Sequence, residues 1–266
     1  MPPAQPVSAR DLLAFHLEAG VDCALADGPV NRLDDPHHAL EAPAKPAAPS
    51  PAPAAPPHAS PAAPPPPDAA IGSAREMAQR AASLDELRAL MEAFDGCALK
   101  ATASRLVFAD GTPGARVMFV GEAPGRDEDI EGLPFVGRSG KLLDRMMAAI
   151  GLDRRTAYIA NVIPWRPPGN RTPTPQETQI CLPFIRRQIE LVDPDILVCL
   201  GNPATQTLLG TREGIMRTRG RWFDYDTGTR KIRALPSFHP AYLLRSPIYK
   251  RLAWQDLCAV RAALDA

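Results

Sequence analysis

Long apolar runs are missing from this sequence: nowhere do about 18 apolar residues follow one another, so no segment reads as a membrane span. The first residues, MPPAQPVSAR, lack the apolar stretch of a secretory signal, and the expected location is the cytoplasm. Cysteine is scarce. Cys23, Cys97, Cys181, Cys199 and Cys258 are odd in number, irregularly spaced and without a CxxC pair, which excludes a disulfide framework and points to reduced thiols. Histidine is scarcer still where it would matter: His239 is the one histidine in residues 97–266, too few for a histidine-built zinc site. Neither GxGxxG nor GxxxxGK(S/T) occurs, so the common phosphate-cradling loops are absent.

What the chain has in excess is proline, concentrated in one place. Between Pro43 and Pro67, 12 of 25 residues are proline and 9 are alanine, with no aromatic or β-branched residue from which to build a core. This divides the chain into an N-terminal helical segment (1–35), a Pro/Ala-rich disordered linker (36–72) and a folded domain (73–266). Within the first piece, Ser8–Gly20 carries Leu12, Leu13, Phe15 and Leu17 on an amphipathic stripe. The net charge of zero conceals a split. Residues 1–96 hold 6 basic and 13 acidic side chains, and residues 97–266 hold 24 and 17, so a basic domain follows an acidic leader. That balance suits a polyanionic partner, although an arginine-rich surface that is merely soluble would show it too.

Within the domain, strand and helix patterns alternate. Residues 115–120, 158–164 and 195–201 read as strands, with helices at 139–151, 175–192 and 202–210 between and after them. A hairpin is expected around Asp226-Thr-Gly228 and a last helix over 248–264. Ser83-Leu-Asp-Glu86 is a capping box that opens a further helix. This pattern predicts an α/β fold, a three-layer α/β/α domain with a central, mostly parallel sheet. Ligands of such sheets bind at the C-terminal strand ends, which selects the loops to read for chemistry.

The first of these loops, from Gly121 to Asp129, holds four carboxylates. It reads either as a solvated acidic turn or, because Glu122 leaves the strand directly, as the source of a placed carboxylate. The second carries Asn161, whose amide can offer donor and acceptor to the edge of a planar base or can simply cap the sheet end. Arg166 and Arg171 flank Pro-Pro-Gly-Asn170 in a stiff loop suited to phosphates, or to plain exposure. The third holds His239, then Leu243, Leu244 and Arg245. A lone histidine is commonly structural, but an apolar pair beside basic residues resembles a wedge that props open stacked bases.

Together, GEAPGRDEDIEGLPFVGRSGKLLDRM (121–146), YIANVIPWRPPGNRTPTPQE (158–177) and FHPAYLLRSP (238–247) resemble the family 4 uracil-DNA glycosylases, in order and spacing, over about residues 97–264. The resemblance implies a monomeric enzyme that hydrolyses the N-glycosidic bond of uracil in DNA, with later repair proteins as further partners. It places Glu122 beside the sugar and Ala123 at the pocket wall. Glu128 and Asp129 become second candidates for positioning water, Phe135 stacks on the base, Asn161 reads the base edge and His239 faces a carbonyl oxygen. Leu243, Leu244 and Arg245 form the intercalating loop, with Arg166, Asn170 and Arg171 on the DNA backbone. Family members hold a four-iron, four-sulfur cluster on four cysteines. With LVFADG (106–111) setting the register, Cys97 and Cys181 occupy two of those places and Phe94 and Trp165 the others, which implies no cluster here. Two rival functions are a non-catalytic DNA-binding module that senses damage and an enzyme acting on free nucleosides. Retention of Glu122, Asn161 and His239 together argues against the first, and the basic loops argue against the second.

Overall fold

The computed structural model describes residues 67–266. The expected helix over 8–20 and the N-terminal segment that contains it lie outside the described residues. Helix α1 (Pro67–Arg80) begins inside the stretch read as linker, and helix α2 (Leu84–Ala93) follows. Ser83 caps α2 as the sequence requires: its Oγ accepts from the Glu86 amide at 3.2 Å, and the Glu86 carboxylate accepts from the Ala82 amide at 2.7 Å.

Then come β1 (Asp110–Gly111), β2 (Val117–Gly121), α3 (Arg126–Glu131), α4 (Arg138–Ala148), β3 (Ala157–Asn161), α5 (Pro175–Val192), β4 (Ile196–Leu200) and α6 (Asn202–Leu209). The chain ends through α7 (Ile215–Thr218), β5 (Phe223–Asp226), β6 (Lys231–Ser237), α8 (Pro240–Arg245) and α9 (Lys250–Leu264). The six strands lie in the order β1-β3-β2-β4-β6-β5. The inner four are parallel, and β1 and β5 close the edges antiparallel. The expected three-layer architecture is present.

The layers follow from a period of two along buried strands. Met118, Val120, Tyr158, Ala160, Leu197 and Cys199 face one side, where they meet α1, α2, α5 and α6. Val117, Phe119, Ile159, Ile196 and Val198 face the other, against α4, α8 and α9. Both faces are fully dry, and each large side chain such as Phe119 contributes about 1.5–3 kcal/mol by leaving water. Besides α1, α3 and α7, two further elements were not expected. The edge strand β1 is only two residues long, and α8 turns the supposed wedge loop into a helix. Proline at its first position suits a helix start, since the missing amide needs no partner there.

Candidate active site

Parallel pairing brings four strand ends to one level. Gly121 is paired with Asn161, and Leu200 with Ser237, so the segments that follow β2, β3, β4 and β6 open on the same edge. Between them lies a cavity of about 360 Å³ whose wall includes Glu122, Ala123, Phe135, Asn161, His239 and Arg245. Three stretches spread over more than a hundred residues of chain thus converge on one slot.

Close approach dictates glycine at the slot's base. A Cβ on Gly121 would stand 2.5 Å from Asn161 Oδ1 and 2.6 Å from the Phe135 ring, so any side chain there would displace both. Phe135 itself holds a left-handed backbone, φ 56°, unusual for an aromatic residue. Its ring is buried and stacks on the His239 imidazole at 5.4 Å between centroids, with 29° between planes. Asn161 Oδ1 is buried and has no hydrogen-bond partner. An unmet acceptor of this kind costs about 1–3 kcal/mol unless a ligand satisfies it.

His239 caps α8 with its side chain: Nδ1 accepts from the Ala241 amide at 3.1 Å. The ring proton therefore sits on Nε2, which is left to donate. Loss of solvent, with the Arg245 charge nearby, lowers the imidazole pKa to about 4, so the ring is neutral at physiological pH. Burial alone raises the Glu122 pKa, and no cation or hydrogen bond offsets it.

The other expected residues divide. Glu128 borders the cavity, but Oε2 accepts from the Gly125 amide at 3.0 Å and Oε1 from the Val136 and Gly137 amides at 3.1 and 3.0 Å. Asp129 lies off the cavity wall. It accepts from the Ser104 amide and hydroxyl at 2.8 and 3.0 Å and from the Arg105 amide at 3.3 Å. Both carboxylates are thus spent on holding loops, a use that a carboxylate count cannot distinguish from catalysis. Arg166 donates to Asn170 Oδ1 at 2.7 Å, and Arg171 grips Glu177 through two bonds of 2.8 and 2.6 Å, while Glu177 completes the capping box of α5. The expected wedge is halved: Leu243 is 1% exposed in the core, whereas Leu244 is 37% exposed and Arg245 reaches the cavity. Successive helical residues are turned by about 100°, and on α8 that turn puts Leu243 into the core and Leu244 outward.

The sequence reading passed over the end of β4, although the strand-end rule selects it. Gly201, at φ 92°, lets the chain pass His239, whose Cβ would lie 3.0 Å from a Cβ there. Asn202 follows with a second buried, unpartnered Oδ1, beside an adjoining cavity of about 540 Å³ that shares Glu122, His239 and Arg245.

Away from the slot, Cys97 and Cys181 place their sulfurs 3.9 Å apart in the core. Phe94 stacks near Trp165 at 6.4 Å and meets Phe184 edge-on at 5.1 Å. These two thiols and three packed rings share one buried cluster, and two thiolates fall short of the four that a four-iron, four-sulfur cluster takes.

A three-layer α/β domain with its slot at the carboxyl edge of the sheet is an architecture in which ligands bind at the strand ends. The model of the uracil DNA glycosylase superfamily matches residues 108–258, and the chain belongs to that family. Among its relatives are type-4 uracil-DNA glycosylases. That of Archaeoglobus fulgidus is 40% identical over 169 residues, covering 62% of this chain and 85% of the relative. That of Thermotoga maritima is 41% identical over 164 residues (60% and 84%), and that of Saccharolobus solfataricus 40% over 162 residues (59% and 75%).

Proposed function

We propose that this protein hydrolyses the N-glycosidic bond of deoxyuridine in DNA, releasing uracil and leaving an abasic site for later repair proteins. The observation that carries this reading is the meeting of Glu122, Asn161 and His239 in one slot beneath a buried aromatic ring. The target nucleotide must leave its base stack to enter, at a cost of a few kcal/mol that DNA contacts must offset.

Cleavage of the bond from C1′ to N1 leaves its electron pair on the uracil ring and positive charge on the sugar. Water then adds its oxygen to C1′ and loses a proton. Glu122 is the carboxylate suited to the sugar side: ionised and without a cation of its own, it stabilises the developing charge and orients the water. His239 Nε2–H donates to the pyrimidine oxygen where negative charge collects, and such a donor contributes about 3–4 kcal/mol to lowering the barrier. Asn161 satisfies its own unmet oxygen with a base N–H, which cytosine cannot offer at the same place. Phe135 stacks on the base, and Ala123 limits the slot beside it. Arg245 and the Arg166–Asn170 pair face the backbone, whereas Arg171 serves through Glu177.

The aromatic core at Phe94 and Trp165 supports a clusterless branch of the family, in which packed rings hold together what four thiolates and iron hold elsewhere. The protein acts as a monomer in the cytoplasm. The decisive experiment offers a purified sample a DNA strand with one uracil and follows base release, beside iron analysis and a visible spectrum. Intact DNA, or uracil release only from free deoxyuridine, sinks the assignment. Bound iron with charge-transfer absorption sinks the clusterless part alone.

A further inference from the structure

Among the described residues, Ile248 is the most exposed of the large apolar side chains, at 82%. Its surroundings are rigid. Pro247 fixes the backbone before it, the Ser246 amide donates to the Tyr242 carbonyl at 2.8 Å, and the Tyr249 amide donates to the Ser246 carbonyl at 3.2 Å. Behind it, Tyr249 packs on Phe238 at 5.4 Å and on Tyr242 at 5.5 Å, and these two rings lie 5.5 Å from each other. Three mutually packed rings thus anchor Tyr249, the residue that follows the isoleucine in the chain. The ring cluster belongs to the site: Phe238 and Tyr242 line the cavity next to His239. Exposed cations stand on both sides, Arg245 before it and Lys250 and Arg251 after it.

A lone exposed isoleucine needs no explanation, but one set between a proline and an anchored tyrosine, with three exposed cations in the flanking chain, is suited to entering something apolar within a polyanion. Duplex DNA meets that description, since its base stack is apolar and its rims are phosphate. Leu244 alone offers a smaller exposed surface, because Leu243 is in the core. We propose that Ile248 is a second apolar probe, pressed against the base stack beside the vacated position and working with Leu244 to hold the duplex open. This rests on the glycosylase reading and deepens it by naming the residue that makes duplex substrates workable. A single strand has no stack to prop open, so the contribution of Ile248 is specific to the duplex.

The test compares kcat/KM on one uracil-containing strand, alone and annealed to its complement, for the wild type and Ile248→Ser. The duplex-to-single-strand ratio should fall about fivefold to tenfold in the variant, and affinity for the duplex, followed by fluorescence anisotropy, should weaken by a similar factor. The melting temperature should stay put, because the side chain is almost wholly in solvent. An unchanged ratio with unchanged affinity overturns the proposal and leaves Ile248 to a protein partner. Absence of base release by the wild type on either substrate counts against the glycosylase reading instead, and the affinity arm still decides the role of Ile248.

Discussion

Arg154 donates through its two terminal nitrogens to the carbonyls of Pro134 and Phe135, while also pairing with Asp110 at 2.5 Å and Asp144 at 2.8 Å. One guanidinium thereby ties the edge strand β1 and helix α4 to the turn in which Phe135 is left-handed. The planar fork can serve carbonyls and carboxylates at once, as an ammonium cannot. Arg154→Lys should therefore retain most of the stability yet lower kcat/KM about tenfold through KM, and Arg154→Ala should add a loss of about 2–3 kcal/mol in denaturant unfolding. A lysine variant with wild-type KM would show that the turn holds Phe135 without this clamp.

Two neighbouring carboxylates should separate cleanly. Glu122→Gln should cost 10²-fold or more in kcat, on the order of 3 kcal/mol, with little change in unfolding midpoint. Glu128→Gln keeps the shape but not the charge that three amides grip, and it should lower stability by about 1–3 kcal/mol before it touches the rate. Calorimetry and single-turnover rates on the same samples read both effects. Equal rate losses from the two variants would return Glu128 to the catalytic group.

The pH profile has a predicted sign. Activity needs Glu122 ionised, and burial raises its pKa above the ordinary carboxylate value, so kcat/KM should fall with acid before His239 protonates near pH 4. Glu122→Gln should erase that limb. For stability, a histidine whose pKa drops from 6.5 to about 4 on folding binds protons more readily when unfolded. Its contribution is full above pH 6.5 and is lost as pH falls towards 4, and His239→Ala should flatten that part of the curve. A limb near pH 6.5 that survives Glu122→Gln would mean that the imidazole titrates freely.

Adjacent leucines should behave as opposites. Leu243→Ala empties a packed site and should cost about 2–5 kcal/mol, whereas Leu244→Ala should leave the melting temperature within about a degree or two and act on duplex binding. Trp165→Ala, in the aromatic cluster, should cost about 3–5 kcal/mol. A mild effect there would mean that the rings do not carry the structural load.

Much of this was readable beforehand because the signals were local. The strands over 117–121 and 157–161, helix α5 with its Thr174 cap, and the convergence of Glu122, Asn161 and His239 follow from periodicity and from the strand-end rule. What escaped depends on how the turns fold rather than on distance along the chain. The amides that claim Glu128 belong to Gly125, Val136 and Gly137, and the partner of Arg171 is the nearby Glu177, but residue type alone does not show that these loops bend back on those side chains. Apolar spacing alone could not tell Leu243 in the core from Leu244 in solvent until a helix was recognised after His239. Arg154 is one of many arginines in sequence, and only the left-handed Phe135 reveals its use. Asn202 opens α6, and nothing in its sequence surroundings separates an amide that merely starts a helix from one beside a cavity.

The imidazole hangs just beyond β6, the last strand of the sheet to be made, yet β6 lies beside β4 in the interior. While the ribosome is still delivering the polypeptide, the carboxylate from β2 and the amide from β3 wait without their third partner. Any cut ahead of β6 therefore removes the imidazole together with an inner strand of the sheet.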